Sequence, residues 1–178
     1  GIRAERDLLE PLRRWADLLI DTTRLATNEL QQFVRQNFGT DGAPQIAVTV
    51  SSFGFARGMP PLADLVFDMR FLDNPHWVED LREQTGLDED VANFLHRTDG
   101  FEENFARIRE LLMDLLPRYG AQGKSYVHIA FGCTGGRHRS VYTAERMAAV
   151  LRDAGYSPTV NHRNLASRAT DTAEMPTA

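Results

Sequence analysis

Nine consecutive residues, Gly132-Cys133-Thr134-Gly135-Gly136-Arg137-His138-Arg139-Ser140, bring together a thiol, two hydroxyls, three basic side chains and three glycines. They follow the β-branched and aromatic run Ser125 to Phe131 and precede the helix-like stretch Val141 to Arg152. A strand that enters a glycine-rich turn and then a helix points several backbone N–H groups at one place, with the positive end of the helix dipole behind them. Gly135 and Gly136 are expected to allow positive φ and to let a bound group approach the backbone. Arg137, His138 and Arg139 add charge and forked donors suited to phosphate or carboxylate oxygens. Thr134, Gly135, Gly136, Arg137, His138, Arg139 and Ser140 are therefore the candidate anion-binding residues.

The same run also fits a Cys-x5-Arg pattern, Cys133 to Arg139, with Ser140 after the arginine. Cysteine-dependent phosphatases use such a thiolate as nucleophile, the arginine and loop amides as oxygen holders, and a distant Asp as general acid. Asp68 or Asp73 would fill that last role. The pattern is short, and Gly132 stands where those enzymes place His. A small buried cysteine closing a strand is the competing reading.

Two further loops carry candidates. Ser52-Phe53-Gly54-Phe55-Ala56-Arg57-Gly58 places Arg57 within reach of the same anion, or forms a tight turn with packed rings. Asp73-Asn74-Pro75-His76-Trp77 presents His76 beside an indole in a proline-fixed loop, with Asn74 as a further polar group. His96 and His128 read as structural. His162-Arg163 extends the basic patch or is solvated charge. The acids between Glu79 and Asp90 read as a solvated face with no metal cluster.

The elements that would position these groups follow from periodicity. Gln45 to Ser52, Leu65 to Arg70, Ser125 to Phe131 and Ser157 to Val160 read as strands. Asp88 caps a helix to about His96; Phe101 to Leu116 is an amphipathic helix ended by Pro117; Arg139 to Arg152 is the last long helix. Strands alternating with helices give an α/β fold, a sheet covered by helices, with ligands expected at the strands' carboxyl ends. Ahead of this lie a helix from Ala4 to Ala16, a short strand from Asp17 to Asp21 and a helix from Asn28 to Asn37. Residues 1–39 read as the remnant of another α/β unit. Residues 40–44 have linker chemistry, 45–165 form the main domain, and 166–178 form a frayed tail.

Composition narrows the function classes. The chain has 178 residues, 42% hydrophobic and 25% charged, which fits one soluble domain and part of a second. No apolar run approaches the roughly 20 residues needed to cross a bilayer. No signal-peptide pattern opens the chain, so a cytoplasmic location is expected. The single cysteine excludes an internal disulfide framework and a cysteine-rich zinc site. The net charge of −5 argues against a general nucleic-acid coat. Its distribution is uneven: residues 64–110 hold 13 acids against 5 arginines, and residues 132–168 hold 6 arginines against 2 acids. That split favours local, site-directed anion binding.

Taken in order along residues 45–165, four segments resemble the RapZ/YvcJ family: Ser52-Phe53-Gly54-Phe55, Asp68 to Trp77, Thr85-Gly86-Leu87-Asp88, and Gly132 to Tyr142. Leu9 to Val34 is also similar to the end of that family's N-terminal nucleotide-binding domain. The resemblance implies a C-terminal ligand-binding domain with a phosphofructokinase-subdomain-like fold. It also implies that this domain senses an amino-sugar phosphate, contacts small regulatory RNA and an endonuclease, and belongs to a homo-oligomer. His76 matches a ligand-sensing histidine; Thr134, Gly135, His138 and Arg139 match an anion pocket. ATP or GTP is implied only for a Walker-type N-terminal domain; no Gly-x4-Gly-Lys-Ser/Thr occurs here, so no cofactor is expected in this stretch. Two departures stand out. A lysine common after Gly-Phe is Ala56 here, and the lysine-rich tail of the RNA-binding branch is absent, leaving Arg137, Arg163 and Arg168 as the RNA candidates.

Overall fold

The computed structural model describes residues 46–166 throughout and scattered positions between 5 and 34. The chain divides into two compact units, 1–42 and 43–178. In the first, Leu30 N donates to Ala26 O at 3.0 Å and Ala26 N to Glu29 Oε2 at 2.8 Å, and the described residues Glu29, Leu30, Phe33 and Val34 are helical. Most of the elements expected there, the 40–44 linker and the 167–178 tail with Arg168 lie outside the described residues.

The second unit runs β1 (Ala47–Gly54), β2 (Leu65–Asp68), α1 (Glu89–Arg97), α2 (Phe101–Ala121), β3 (Tyr126–Cys133), α3 (Arg139–Asp153) and β4 (Thr159–His162). The four strands form one sheet in the order β2-β3-β1-β4, and every pairing is parallel. The central pair runs in register from Ala47 opposite Tyr126 to Gly54 opposite Cys133. A parallel sheet places all its strand ends on one edge. Gly54, Asp68, Cys133 and His162 therefore end together, where α/β sheets bind ligands.

Strand alternation sends Val48, Val50, Val127, Ile129 and Phe131 to one face, with Leu65, Phe67 and Val160 packed alongside. Phe101, Phe105, Leu112 and Leu116 of α2 and Ala144, Met147, Ala148 and Leu151 of α3 meet that face. The α/β expectation holds, with both long helices on the same side. On the other side, Ser51 Oγ and His128 Nε2 share a 2.7 Å hydrogen bond. Burial lowers the pKa of His128, in keeping with a structural role. Among the described residues, no helix is long and apolar enough to cross a membrane.

Element ends differ from expectation for local reasons. β2 stops at Asp68 because its carboxylate takes the backbone N–H of Arg70 at 2.9 Å and turns the chain. Helix α2 does not stop at Pro117 but runs to Ala121. The turn beyond the proline is held by Leu116 and Tyr119 on the core and by Lys124 N donating to Tyr119 O at 2.9 Å. Those contacts outweigh the lost hydrogen bond at an exposed position. β4 begins two residues late because Gly155, at φ 88, ends α3 with Tyr156 N donating to Leu151 O at 2.9 Å. Asp88 takes the N-cap position of α1, yet its carboxylate accepts from Thr85 N and Oγ1 at 2.7 and 2.8 Å.

Phe131 is fully buried and stacks on Phe67 with ring centroids 5.5 Å apart. Phe131→Ala should destabilise this unit by about 3–5 kcal/mol in urea denaturation, through lost transfer energy and the cavity left behind.

Candidate functional site

The β3–α3 loop, residues 134–138, is seated by backbone packing. Gly136 has φ 77, and a Cβ there would lie 2.5 Å from Gly54 N. A Cβ on Gly54 would lie 2.7 Å from the Gly135 carbonyl carbon. The end of β1 and the loop thus touch main chain to main chain, tied by Ala56 N donating to Thr134 O at 3.2 Å. On the other flank Gly86 N donates to Arg137 O at 2.8 Å, and a Cβ at Gly86 would meet His138 O at 2.3 Å. This corrects one expectation. The space at Gly136 is filled by β1 rather than kept for a ligand, and Gly135 does not take positive φ.

Inside the loop, Cys133 Sγ accepts the Gly136 N–H at 3.3 Å and lies 3.1 Å from Ser140 Oγ. Ser140 is fully buried, and its hydroxyl serves the thiol. Helix α3 begins at Arg139 with no side chain capping it, so its first-turn N–H groups lack intrahelical acceptors.

Arg139 is only 4% exposed. Its Nη1 donates to Leu72 O at 3.0 Å and Arg70 O at 3.3 Å, and its Nη2 to Thr134 Oγ1 at 3.3 Å. Its Nε is buried and has no partner. Burial pulls the guanidinium pKa down, while Cys133 and Asp68 oppose the shift. His138, 6% exposed, carries a second buried, unpartnered nitrogen, Nε2. Burial and the Arg137 charge lower its pKa, the Arg82 and Gln84 backbone carbonyls oppose this, and His76 is near enough to contribute.

Two residues outside the expected ligand set complete the edge. Arg70 grips Asp68 with Nε at 3.0 Å from each carboxylate oxygen and Nη2 at 2.6 Å from Oδ2. The same guanidinium sits 4.1 Å from the centroid of the Phe55 ring. The grip holds Asp68 below the usual carboxylate range. An acid held ionised is unsuited to protonate a leaving group, so Asp68 is a poor general acid for a Cys133 phosphatase. Arg70 could have been found in the sequence: Asp68-Met69-Arg70 ends a strand, and an Asp two residues before an Arg can both turn the chain and pair with it.

The other candidates divide. Asn74 Oδ1 accepts the His76 N–H at 3.4 Å in the turn Pro75–Trp77, and His76 meets Trp77 edge-on at 5.2 Å. Thr134, His138, Arg139 and His76 thus gather around one edge. Arg137 instead donates to Glu83 O at 2.6 Å and Gln84 O at 3.4 Å, holding the segment before Gly86. Arg57 is exposed in the turn Phe55–Arg57, and Arg163 donates to Gly58 O at 3.3 Å. His96 pairs with Glu102 at 2.8 Å. His162 is not a solvated patch residue. Its Nδ1 lies 2.8 Å from Ser52 Oγ and its Nε2 2.9 Å from Glu145 Oε1, tying β1, β4 and α3 together. The resemblance to a hydrolytic triad is only geometric, since Ser52 is fully buried within β1. Among the described residues no His, Cys, Asp and Glu cluster could hold a metal ion.

A parallel sheet flanked by helices, with a glycine loop, a buried arginine and a helix N-terminus at its carboxyl edge, defines this as an α/β domain. Residues 46–166 match the RapZ C-terminal domain and residues 1–42 match the RapZ-like N-terminal domain, so the chain belongs to the RapZ family. A nucleotide-binding protein of Erythrobacter litoralis is 68% identical over 176 residues, 99% of this chain and 58% of that protein. One from Novosphingobium aromaticivorans is 65% identical over 174 residues, 98% of this chain and 57% of that protein. One from Zymomonas mobilis is 51% identical over 165 residues, 93% and 51% respectively. The chain thus spans little more than half the length of these curated relatives.

Because the folded His138 pKa lies below its usual value, protonation favours the unfolded chain. The stability tied to neutral His138 is present above about pH 6.5 and lost as pH falls through the folded pKa. His138→Gln should therefore flatten the loss of stability between about pH 7 and 5, measured by denaturant titration at each pH; an unchanged slope would assign that loss to His128 or the carboxylates.

Proposed function

We propose that this domain is a regulatory module that senses a small phosphorylated metabolite of the amino-sugar phosphate class. The observation that carries the reading is Arg139: nearly fully buried, with an unpartnered Nε, at the start of α3, and preceded by His138, whose Nε2 is also buried and unpartnered. A buried cation with an unused donor is costly unless an anion completes it. The ligand set is Thr134, Gly135, His138, Arg139 and His76, with Gly136 and Ser140 shaping the loop and Asn74 and Arg57 at its margins. Sensing needs binding alone, which suits a site whose neighbouring carboxylate, Asp68, is held ionised.

Contact with RNA or a protein partner is the second half of the proposal. Arg139 is too buried to meet a nucleic-acid backbone, which leaves Arg137, Arg163 and Arg168. The relatives are named nucleotide-binding proteins, and on this reading ATP or GTP binding and hydrolysis belong to a Walker-type N-terminal domain of the whole protein. No step of metabolite sensing runs through a nucleotide.

Calorimetry with a hexosamine 6-phosphate tests the first half. Arg139→Ala should weaken binding roughly 30-fold or more, the effect of removing one partner from a buried charged pair. Arg139→Lys, which keeps charge but loses the forked donor, should recover only part of it. Unchanged affinity in a folded Arg139→Ala protein would sink the reading, as would aryl-phosphate turnover that disappears in Cys133→Ser.

For RNA, about three phosphate contacts give a slope of log affinity against log salt of roughly −2 to −3. Filter binding at several salt concentrations measures it. Tight binding with a much steeper slope would show that the basic surface extends well beyond these arginines.

A further inference from the structure

We propose that the irregular segment between β2 and α1 is a docking surface for a partner protein, and that it takes a basic, arginine-bearing peptide segment of that partner with apolar residues between its charges. The proposal rests on the protein-partner half of the reading above and is independent of the metabolite half. Trp77 is 77% exposed, with Val78 at the surface beside it and Phe71 and Leu87 half exposed toward the two ends of the segment. An indole left in water forgoes the stabilisation that burial would give it, and tryptophan is among the residues that dominate binding energy at protein interfaces.

This exposure is not that of a loose loop. Leu72, Pro75, Leu81 and Gly86 of the same segment are buried. Arg82 Nε donates to His76 O at 3.1 Å, and Gln84 Nε2 donates to Asp80 O at 3.0 Å and to Asp90 Oδ2 at 3.3 Å, so residues 76–90 fold back on themselves. From the loop before α3, Arg137 donates to Glu83 O at 2.6 Å and accepts the Gly86 N–H at 2.8 Å on its carbonyl. The indole is therefore presented on a fastened backbone, and docking there orders little chain.

Charge identifies the occupant. Residues 73–90 hold seven acids, all exposed, and Arg82 is the only arginine or lysine among them. Elsewhere in the domain acids sit against cations of the same chain: Asp68 on Arg70, Glu103 on Arg107, Asp114 on Arg118. Among the described residues Glu79, Asp80 and Glu83 have no such ion pair. A partner bearing arginines supplies the missing charges, and a guanidinium stacked on the exposed indole adds a cation–π contact. Apolar residues between the arginines cover Val78 and its neighbours, giving the apolar centre and charged rim of a protein interface. A nucleic-acid backbone or an anionic lipid surface brings the wrong sign to this face.

The test is selection from a phage-displayed library of random peptides on the immobilised wild-type chain, with no metabolite present and with counter-selection on Trp77→Ala. The enriched sequences should combine arginine with apolar residues, and fluorescence anisotropy of the labelled peptides should show binding about tenfold or more weaker to Trp77→Ala. Reversing the charge at Glu79 and Asp80 together, Glu79→Lys with Asp80→Lys, should weaken it by a similar factor at low salt. The same reversal at Glu110 and Asp153, exposed on α2 and α3, should change it much less. Circular dichroism checks that each variant is folded, which the exposure of these side chains favours. No enrichment over the counter-selection, enrichment of acidic peptides, or equal loss from the two charge reversals would overturn the proposal and leave the metabolite site standing. So would a wild-type dimer that Trp77→Ala converts to monomer in sedimentation, which would make the occupant a second copy, or RNA binding that Trp77→Ala abolishes.

Discussion

A guanidinium buried at the carboxyl edge of a four-stranded sheet is the constraint around which this domain is arranged. Removing a cation from water is expensive unless nearby groups replace the lost solvation. Around Arg139 those groups are the Arg70 and Leu72 carbonyls and the Thr134 hydroxyl, with Asp68 supplying favourable charge. Two of these come from the chain just past β2 and one from the loop after β3. The guanidinium therefore pins two loops that the sheet alone would leave independent. Because its Nε has no partner, the solvation is incomplete. The domain holds a directed positive charge in reserve at the place where the helix dipole adds to it.

Holding that charge still requires the backbone around it to be close-packed, and the glycines do this. Gly54, Gly136 and Gly86 stand where any side chain would collide with the neighbouring main chain. The His162 bridge between Ser52 and Glu145 and the side-chain Oδ1 of Asn164 accepting Gly54 N–H at 2.9 Å fix the same strand end from the other side. A loop clamped this way has little conformational freedom, so a group bound there would cost little ordering entropy.

Much of this was legible in the sequence because it depends on local pattern. The run Ser125 to Phe131 followed by two glycines and basic residues announces strand, turn and helix, and alternation at Ile46, Val48 and Val50 announces the paired strand. What escaped depends on tertiary context. Pro117 reads as a helix stop, yet core contacts from Leu116 and Tyr119 carry the helix past it. Arg137 looks like a ligand group from its place in the motif, yet its guanidinium serves carbonyls more than fifty residues away. His162 reads as surface charge until the fold brings Ser52 and Glu145 to its two nitrogens. Sequence spacing identifies the loop; only the fold decides which basic side chains face into it.

The two cations at this edge differ in a way that divides their work. Arg139 is fixed by buried bonds in a region of weak screening, so its pull on an anion is strong and nearly independent of salt. Arg70 is half exposed and held by a carboxylate that water and ions reach, so its pairing is weak and easily traded. A site built only from groups of the first kind would hold any small anion, inorganic phosphate included. One built only from the second kind would hold none against physiological salt. Parallel strand order puts both at adjacent strand ends, Asp68 beside Gly132, so one edge carries a rigid charge and an exchangeable one side by side.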